Sequence, residues 1–249
     1  MADELVDCGG GRQAWQRRFC APSELLVTSP WPNIGAAYDV VAQDYATTFD
    51  DELDGKPADR DLLDRLAATV SGRGPVWDIG CGAAGHITRY LADRGVDAIG
   101  VDISPGSVAV AGQRHRDLRF IAADMRDLPV ADRSLAGIVA FYSVIHLPRQ
   151  QIPVALAEFR RVLAPGGLLL MSMHSGEGEV GVDEWFGHAV RVRATLVSLE
   201  ELRANIMAAR FTTVRATARP PYPGENPPGR QRLYVWAQPS APPAAGLPT

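Results

Sequence analysis

Lysine is nearly missing from this chain. Lys56 is the only one, and the other basic side chains are arginines. Cysteine is almost as scarce. Cys8, Cys20 and Cys81 show no metal-ligand spacing and cannot all pair, so neither a zinc module nor a disulfide framework is expected, and a reduced, cytoplasmic setting is. No apolar run approaches the ~20 residues needed to span a bilayer. The first residues are acidic and lack a basic segment followed by an apolar one, so no signal peptide is expected. Strong charge of one sign is missing too. A formal net charge of −4 leaves no electrostatic footprint for nucleic acid or an anionic membrane surface. No internal repeat is visible.

What is present begins with Val76-Trp77-Asp78-Ile79-Gly80-Cys81-Gly82-Ala83-Ala84-Gly85. A short β-type run leads straight into a glycine-rich turn, and helical spacing follows through Ala84, Ile87 and Leu91. Strand, glycine turn and helix form the entry to a nucleotide-type site. Gly80 allows a tight turn with positive φ. Gly82 lets a ligand approach the backbone, and Gly85 lets the helix pack close to the sheet. The triplet satisfies G-x-G-x-x-G, a weak signal alone. It gains weight because Asp102 ends a second apolar strand about 20 residues on, where an acid can accept from ribose hydroxyls.

Along the chain, residues 1–33 read as an irregular extension in which Trp15, Phe19 and Trp31 are candidates for docking on the body. Residues 34–49 have helical spacing, with Tyr38, Val41 and Tyr45 on one face. That stripe is either core packing or a lid over a ligand. Leu62, Leu63, Leu66, Ala67 and Val70 mark a second helix, so residues 34–70 form a helical lid. Strands are expected at 76–79, 98–102, 118–122, 135–141 and 168–173, alternating with helices. Ser104-Pro105 starts one helix, and Pro165-Gly166-Gly167 ends another. Residues 176–197 break the rhythm as an insertion: a glycine- and glutamate-rich loop, then Val190 to Ala194, alternating like an exposed strand. Ser198 and Glu201 read as a capping box. Two final strands, 213–218 and 233–237, are joined by a Pro-rich loop too short for a helical crossover, so they pair antiparallel. The main domain spans 34–238, and the Pro/Ala-rich tail, 239–249, is expected to be disordered.

Five motifs in this order resemble the class I S-adenosylmethionine (SAM)-dependent methyltransferases, over about Tyr38 to Gln238. They are Val76 to Gly85, Ile99 to Ser104, Ala122 to Met125, Ala140 to Leu147, and Arg161-Val162-Leu163-Ala164-Pro165-Gly166-Gly167. Ala83 departs from the proline many members carry. The branch it is most similar to is bacterial and acts on small molecules, with Asp183-Glu184-Trp185-Phe186-Gly187 and Arg219-Pro220-Pro221-Tyr222-Pro223 in matching places. The resemblance implies a Rossmann-like α/β three-layer sandwich whose seven-strand, mostly parallel sheet has order 3-2-1-4-5-7-6 and an antiparallel last strand. It implies that the backbone of Gly80, Cys81 and Gly82 holds the methionine part of SAM, with Asp78 near its amino group and Phe141 beside it. Asp102 would take the ribose hydroxyls, Ile103 would pack on adenine, and Asp124 with the Met125 backbone would bind the adenine amine. Tyr38 or Tyr45 would reach the methionine carboxylate.

Methyl transfer needs alignment, exclusion of water and, for some nucleophiles, removal of a proton. His174, at the end of the fifth strand, and His146, after the fourth, are the candidate bases. Asp183, Glu184, Trp185, Phe186 and Tyr222 are candidates for the acceptor pocket. Cys81 reads as a small residue filling a turn rather than a nucleophile, and His86 as a surface or helix-start residue. The expected partner is a small-molecule acceptor with an apolar or aromatic part, methylated on O, N or C, with the protein a monomer or homodimer. Two rivals stay open. A nicotinamide-dependent oxidoreductase shares the glycine triplet and Asp102, but the chain lacks a Tyr-x-x-x-Lys pair. A SAM-binding protein without methyl transfer would carry the same motifs.

Overall fold

The computed structural model describes residues 31–223, 225 and 229–240. The readings placed on residues 1–30 and 241–249 fall outside them. Helix α1 (Ile34–Phe49) is capped by Asn33, whose side chain accepts from Ala36 N. Helix α2 (Pro57–Val70) starts with proline at its first position and buries Leu63, Leu66, Ala67 and Val70. Strands β1 (Val76–Ile79), β2 (Ala98–Asp102), β3 (Arg119–Ala122) and β4 (Leu135–Phe141) then alternate with α3 (His86–Ala92) and α4 (Pro105–Arg114). Helix α5 (Ile152–Val162) leads into β5 (Leu163–His174), and α6 (Leu199–Ala208) precedes β8 (Phe211–Arg219) and β9 (Arg232–Pro239).

The sheet order is β3-β2-β1-β4-β5-β9-β8. The first five strands run parallel, and β9 lies antiparallel to both β5 and β8. Every residue of β1, β2 and β4 is buried, as expected of central parallel strands covered by helices on both faces. One face packs on α5 and α6 through Leu156, Phe159 and Ile206, the other on α2 and α3 through Leu63, Leu66 and Leu91. At about 1.5–3 kcal/mol per fully buried large apolar side chain, these two layers dominate the stability.

Several boundaries differ from the sequence reading. Strand β5 starts at Leu163 and not Leu168, because Leu163 already pairs with Leu135; a bulge then absorbs the Pro165-Gly166-Gly167 turn before pairing resumes at Leu168. Residues 176–197 hold a hairpin of β6 (Glu179–Val182) and β7 (Val192–Thr195). All four residues of β7 are buried, so the alternation at 190–194 does not mark an exposed strand; β7 is sandwiched between its partner and α1. Pro239 closes β9, and Ser240 N donates to the Arg210 carbonyl, so the first two residues of the expected tail belong to the fold. Trp31 does dock, its indole N–H donating to the His146 carbonyl at 3.0 Å.

Helix α1 is fixed to the body. Asp39 accepts from Ser104 Oγ at 2.6 Å and from Gly106 N at 2.7 Å, placing a carboxylate at the start of α4.

Candidate active site

At the carboxyl edge of the sheet the chain turns out of β1 through Gly80 and Gly82, both at positive φ. A Cβ at Gly80 would lie 2.2 Å from Ser143 Cβ, and one at Gly82 3.0 Å from the Tyr45 ring. Only glycine fits either place. The loop is tied to β2: Gly82 N donates to Asp102 Oδ2 and Ser104 N to Oδ1, each at 2.9 Å. Burial pushes the Asp102 carboxyl up, and those two N–H groups oppose the rise. A carboxylate has about four lone-pair sites, so these two bonds do not exhaust it, and Asp102 lines the cavity. Beyond it, Arg126 forks onto Asp124 and holds its carboxyl below the usual range. Ile103 is 40% exposed, a large apolar side chain at the rim between the two acids.

These groups share one cavity of about 400 Å³. Gly80, Cys81, Gly82, Asp102, Ile103, Asp124, Met125 and Phe141 all line it. Asp78 does not. It is buried, and its Oδ2 accepts from Thr88 Oγ1 at 2.7 Å, so it ties β1 to α3 behind the loop. Burial raises its carboxyl to about 6. Burial also pushes the Cys81 thiol up, away from nucleophilic character.

The second wall comes from α1 and the hairpin. Tyr38 and Tyr45 both meet the Trp185 ring edge-on, and Trp185 stacks on Phe186. The stripe is therefore core packing and cavity lining at once. His146 joins the two pieces. Its Nδ1 lies 2.8 Å from the Arg193 carbonyl, which can only accept, so Nδ1 carries the proton. Burial keeps the ring neutral, and Nε2 therefore accepts from Tyr38 Oη at 2.9 Å. This corrects two expectations: the proton-accepting nitrogen of His146 is already occupied, and the Tyr38 hydroxyl proton is already committed. Among the described residues Tyr45 Oη has no hydrogen-bond partner, and its ring lies against Gly82.

The third wall was not foreseen from the sequence. Lys56 lies just before α2, buried, with Nζ 2.6 Å from Glu52, 3.7 Å from Glu225 and 5.0 Å from the centre of the Tyr142 ring. His86 starts α3, as one of its two readings had it, but its side chain turns inward, with Nε2 3.2 Å from Glu52. Burial alone would raise Glu52, but Lys56 and His86 hold it well below the usual carboxylate range. The His174 ring also stacks on Tyr142, centroid to centroid at 5.0 Å. Burial and the nearby Arg232 and Lys56 charges hold His174 well below its ordinary pKa, which disfavours the imidazolium a base must form. Tyr142 follows β4 at φ 51, a conformation a bulky residue rarely adopts, and its N–H is held by Ser172 Oγ at 3.1 Å. The one available sequence signal was Lys56 itself, a single lysine in an arginine-rich chain.

Residues 76–167 match the family described as a methyltransferase domain. The chain therefore carries a methyltransferase domain over that stretch. Over 115 residues the chain is 32% identical to malonyl-[acyl-carrier protein] O-methyltransferase of Serratia marcescens, covering 45% of this chain and 44% of that one. Over 146 residues it is 32% identical to demethylmenaquinone methyltransferase of Renibacterium salmoninarum, covering 57% and 59%. The chain thus spans about half the length of the curated relatives it matches. Among solved structures, the [4+2]-cyclase SpnF superposes with a TM-score of 0.63 at 19% identity, covering 84% of this chain and 96% of that one. That likeness is one of fold.

The site suits SAM. The cofactor offers an ammonium, two ribose hydroxyls and an adenine amine, all donors, and the loop-side wall offers Asp102, Asp124 and backbone carbonyls as acceptors. Ser143 and Tyr45 occupy the places a Cβ would take at Gly80 and Gly82, so the loop lines the cavity with bare backbone there. No helix among the described residues is long and apolar enough to cross a membrane.

Proposed function

We propose that this methyltransferase transfers the methyl group of SAM to an O, N or C nucleophile of a small-molecule acceptor. The observation that carries the reading is that the loop-side acids and the aromatic, Lys56-edged walls open into one cavity, so cofactor and acceptor would meet there. Bound SAM would supply an electrophilic sulfonium methyl. The chain's residues supply the rest. Asp102 and Asp124 orient, Ile103 covers the adenine, and Tyr45 is the better supported tyrosine for the carboxylate. Trp185 and Phe186 exclude water. The aromatic lining supports an acceptor with an apolar or aromatic part. Demethylmenaquinone methyltransferase and SpnF bear names of different chemistries, so product analysis must follow binding. Calorimetry with SAM, S-adenosylhomocysteine (SAH) and NAD(P) comes first. Labelled-methyl SAM with a panel of phenols, amines and carboxylates comes second. Binding of NAD(P) in preference to SAM would end this reading. Binding without methylated product would favour a SAM-binding protein of other function.

A further inference from the structure

His146 and His174, the two expected bases on the cavity wall, are poor proton acceptors. His146 Nε2 is occupied by Tyr38, and His174 sits between Arg232 and Lys56. A different set of groups leads from the cavity to a buried carboxylate. Tyr142 Oη lies 2.8 Å from Tyr234 Oη, and Tyr234 Oη donates to Asp59 Oδ1. Asp59 is 1% exposed. The direction of this chain of hydrogen bonds is forced. A carboxylate only accepts, so the Tyr234 proton points at Asp59. The Tyr234 oxygen must then accept, from Tyr142 O–H and from Arg219 Nε at 3.1 Å. Tyr142 therefore donates inward, and its own oxygen has only lone pairs left to present.

We propose that Tyr142, Tyr234 and Asp59 form a relay that takes the proton of a phenolic or enolic acceptor bound against Tyr142. The proposal rests on the methyltransferase reading and names its acceptor class. In the step, the acceptor O–H bond breaks and its proton goes to Tyr142 Oη. The Tyr142 proton passes to Tyr234 Oη, and the Tyr234 proton to Asp59. The acceptor oxygen is left as an anion and Asp59 as a neutral acid, so charge and protons balance. Tyr142 is the residue that touches the acceptor; Tyr234 and Asp59 act through it.

Three observations fix the class. A relay made of phenols conducts protons from groups about as acidic as a phenol, near pKa 10; an aliphatic hydroxyl is too weak an acid for a carboxylate sink. The anion formed lies on the Tyr142 side of the cavity, where the Lys56 ammonium is 5.0 Å from that ring. The surrounding wall, with Tyr222, Trp185 and Phe141, is suited to an aromatic ring. Burial raises Asp59 from its ordinary value against the opposing Lys56 and Arg219 charges, with Arg219 Nη2 3.2 Å from Oδ1.

The test uses the full chain loaded with SAH and 4-nitrophenol as probe, because its phenolate is yellow and its phenol is not. SAH binding is measured first by calorimetry; no binding there would end the methyltransferase reading and the relay with it, whereas the colour of the bound probe tests the relay alone. With SAH bound, wild type should hold 4-nitrophenol as the yellow phenolate at pH values about one unit below its ionisation in buffer. Asp59→Asn, which keeps an oxygen for Tyr234, should lose that shift while binding SAH as wild type does. Tyr142→Phe and Tyr234→Phe should lose it too. Binding only as the colourless phenol, an unchanged shift in Asp59→Asn or Tyr142→Phe, or no binding of 4-nitrophenol to the SAH complex would each overturn the proposal. If a phenylalanine variant fails to bind SAH, Asp59→Glu decides: it should retain the shift that Asp59→Asn loses.

Discussion

At the residue scale, the acids around the glycine loop have separate tasks that sequence position alone does not distinguish. Asp102 points into the cavity while bracing Gly82 and Ser104 from behind. Charge-assisted hydrogen bonds are worth about 1.5–3 kcal/mol each. Asp102→Ala is therefore expected to weaken SAH on the order of tenfold or more by calorimetry, and unchanged affinity in a folded variant would remove this residue from the site. The two tyrosines should part company. Tyr45→Phe is expected to weaken SAH about tenfold, and Tyr38→Phe only a few-fold, because the Tyr38 proton already belongs to His146. Equal losses would mean that His146 rotates away when the cofactor enters. Asp78 makes a prediction about pH. Its carboxyl is raised to about 6 when folded against 3.8 as its ordinary value. Stability from this group is then complete below about pH 3.8 and lost as pH rises through about 6. At neutral pH the cost is about 3 kcal/mol, at 1.36 kcal/mol per pH unit. Asp78→Asn keeps an oxygen for Thr88, so it should raise Tm at pH 7 by several degrees and lose that advantage near pH 4 in thermal melts.

At the element scale, the sheet and its helices were legible because their pattern is local. Val76 to Ile79 and Leu135 to Phe141 are continuous apolar runs, and the Ser104-Pro105 and Ser198 caps stand where the sequence puts them. The hairpin of β6 and β7 was not legible as such. Its register depends on Gly181, where an added Cβ would come 2.3 Å from the Val192 carbonyl and 2.5 Å from Arg193 Cδ. Gly181→Ala should therefore destabilise the protein by about 1–3 kcal/mol in denaturant melts, and displace the Arg193 carbonyl that fixes the His146 tautomer. The expected lid also divides into two parts. Helix α1 is held at the start of α4 by Asp39, whereas the hairpin enters through Gly176 and Gly178. Hydrogen exchange on SAH binding should show protection rising in residues 176–190 beyond that at 34–49. An equal or larger rise in 34–49 would show that the Asp39 contact opens in the free protein.

At the scale of the whole molecule, the glycine-loop wall of the cavity was readable and most of the Lys56 wall was not, for one physical reason. The glycine loop, Asp102 and Asp124 each follow a strand directly, so their spacing survives in the sequence. The third wall is assembled from Lys56, Tyr142, His174 and Tyr234, residues separated by up to 178 positions and brought together only when β9 inserts beside β5. Nothing in the sequence near any one of them announces the others. Lys56 carries a practical consequence. It is the only ε-amine in the chain, and it is buried between Glu52 and Tyr142. Acylating reagents that attack side-chain amines thus have one address, and it is closed in the native state. The rate at which Lys56 acquires an acetyl or succinyl group measures how often this wall comes apart. Comparing that rate with and without SAH reads the stability of the acceptor side alone, with no acceptor in hand.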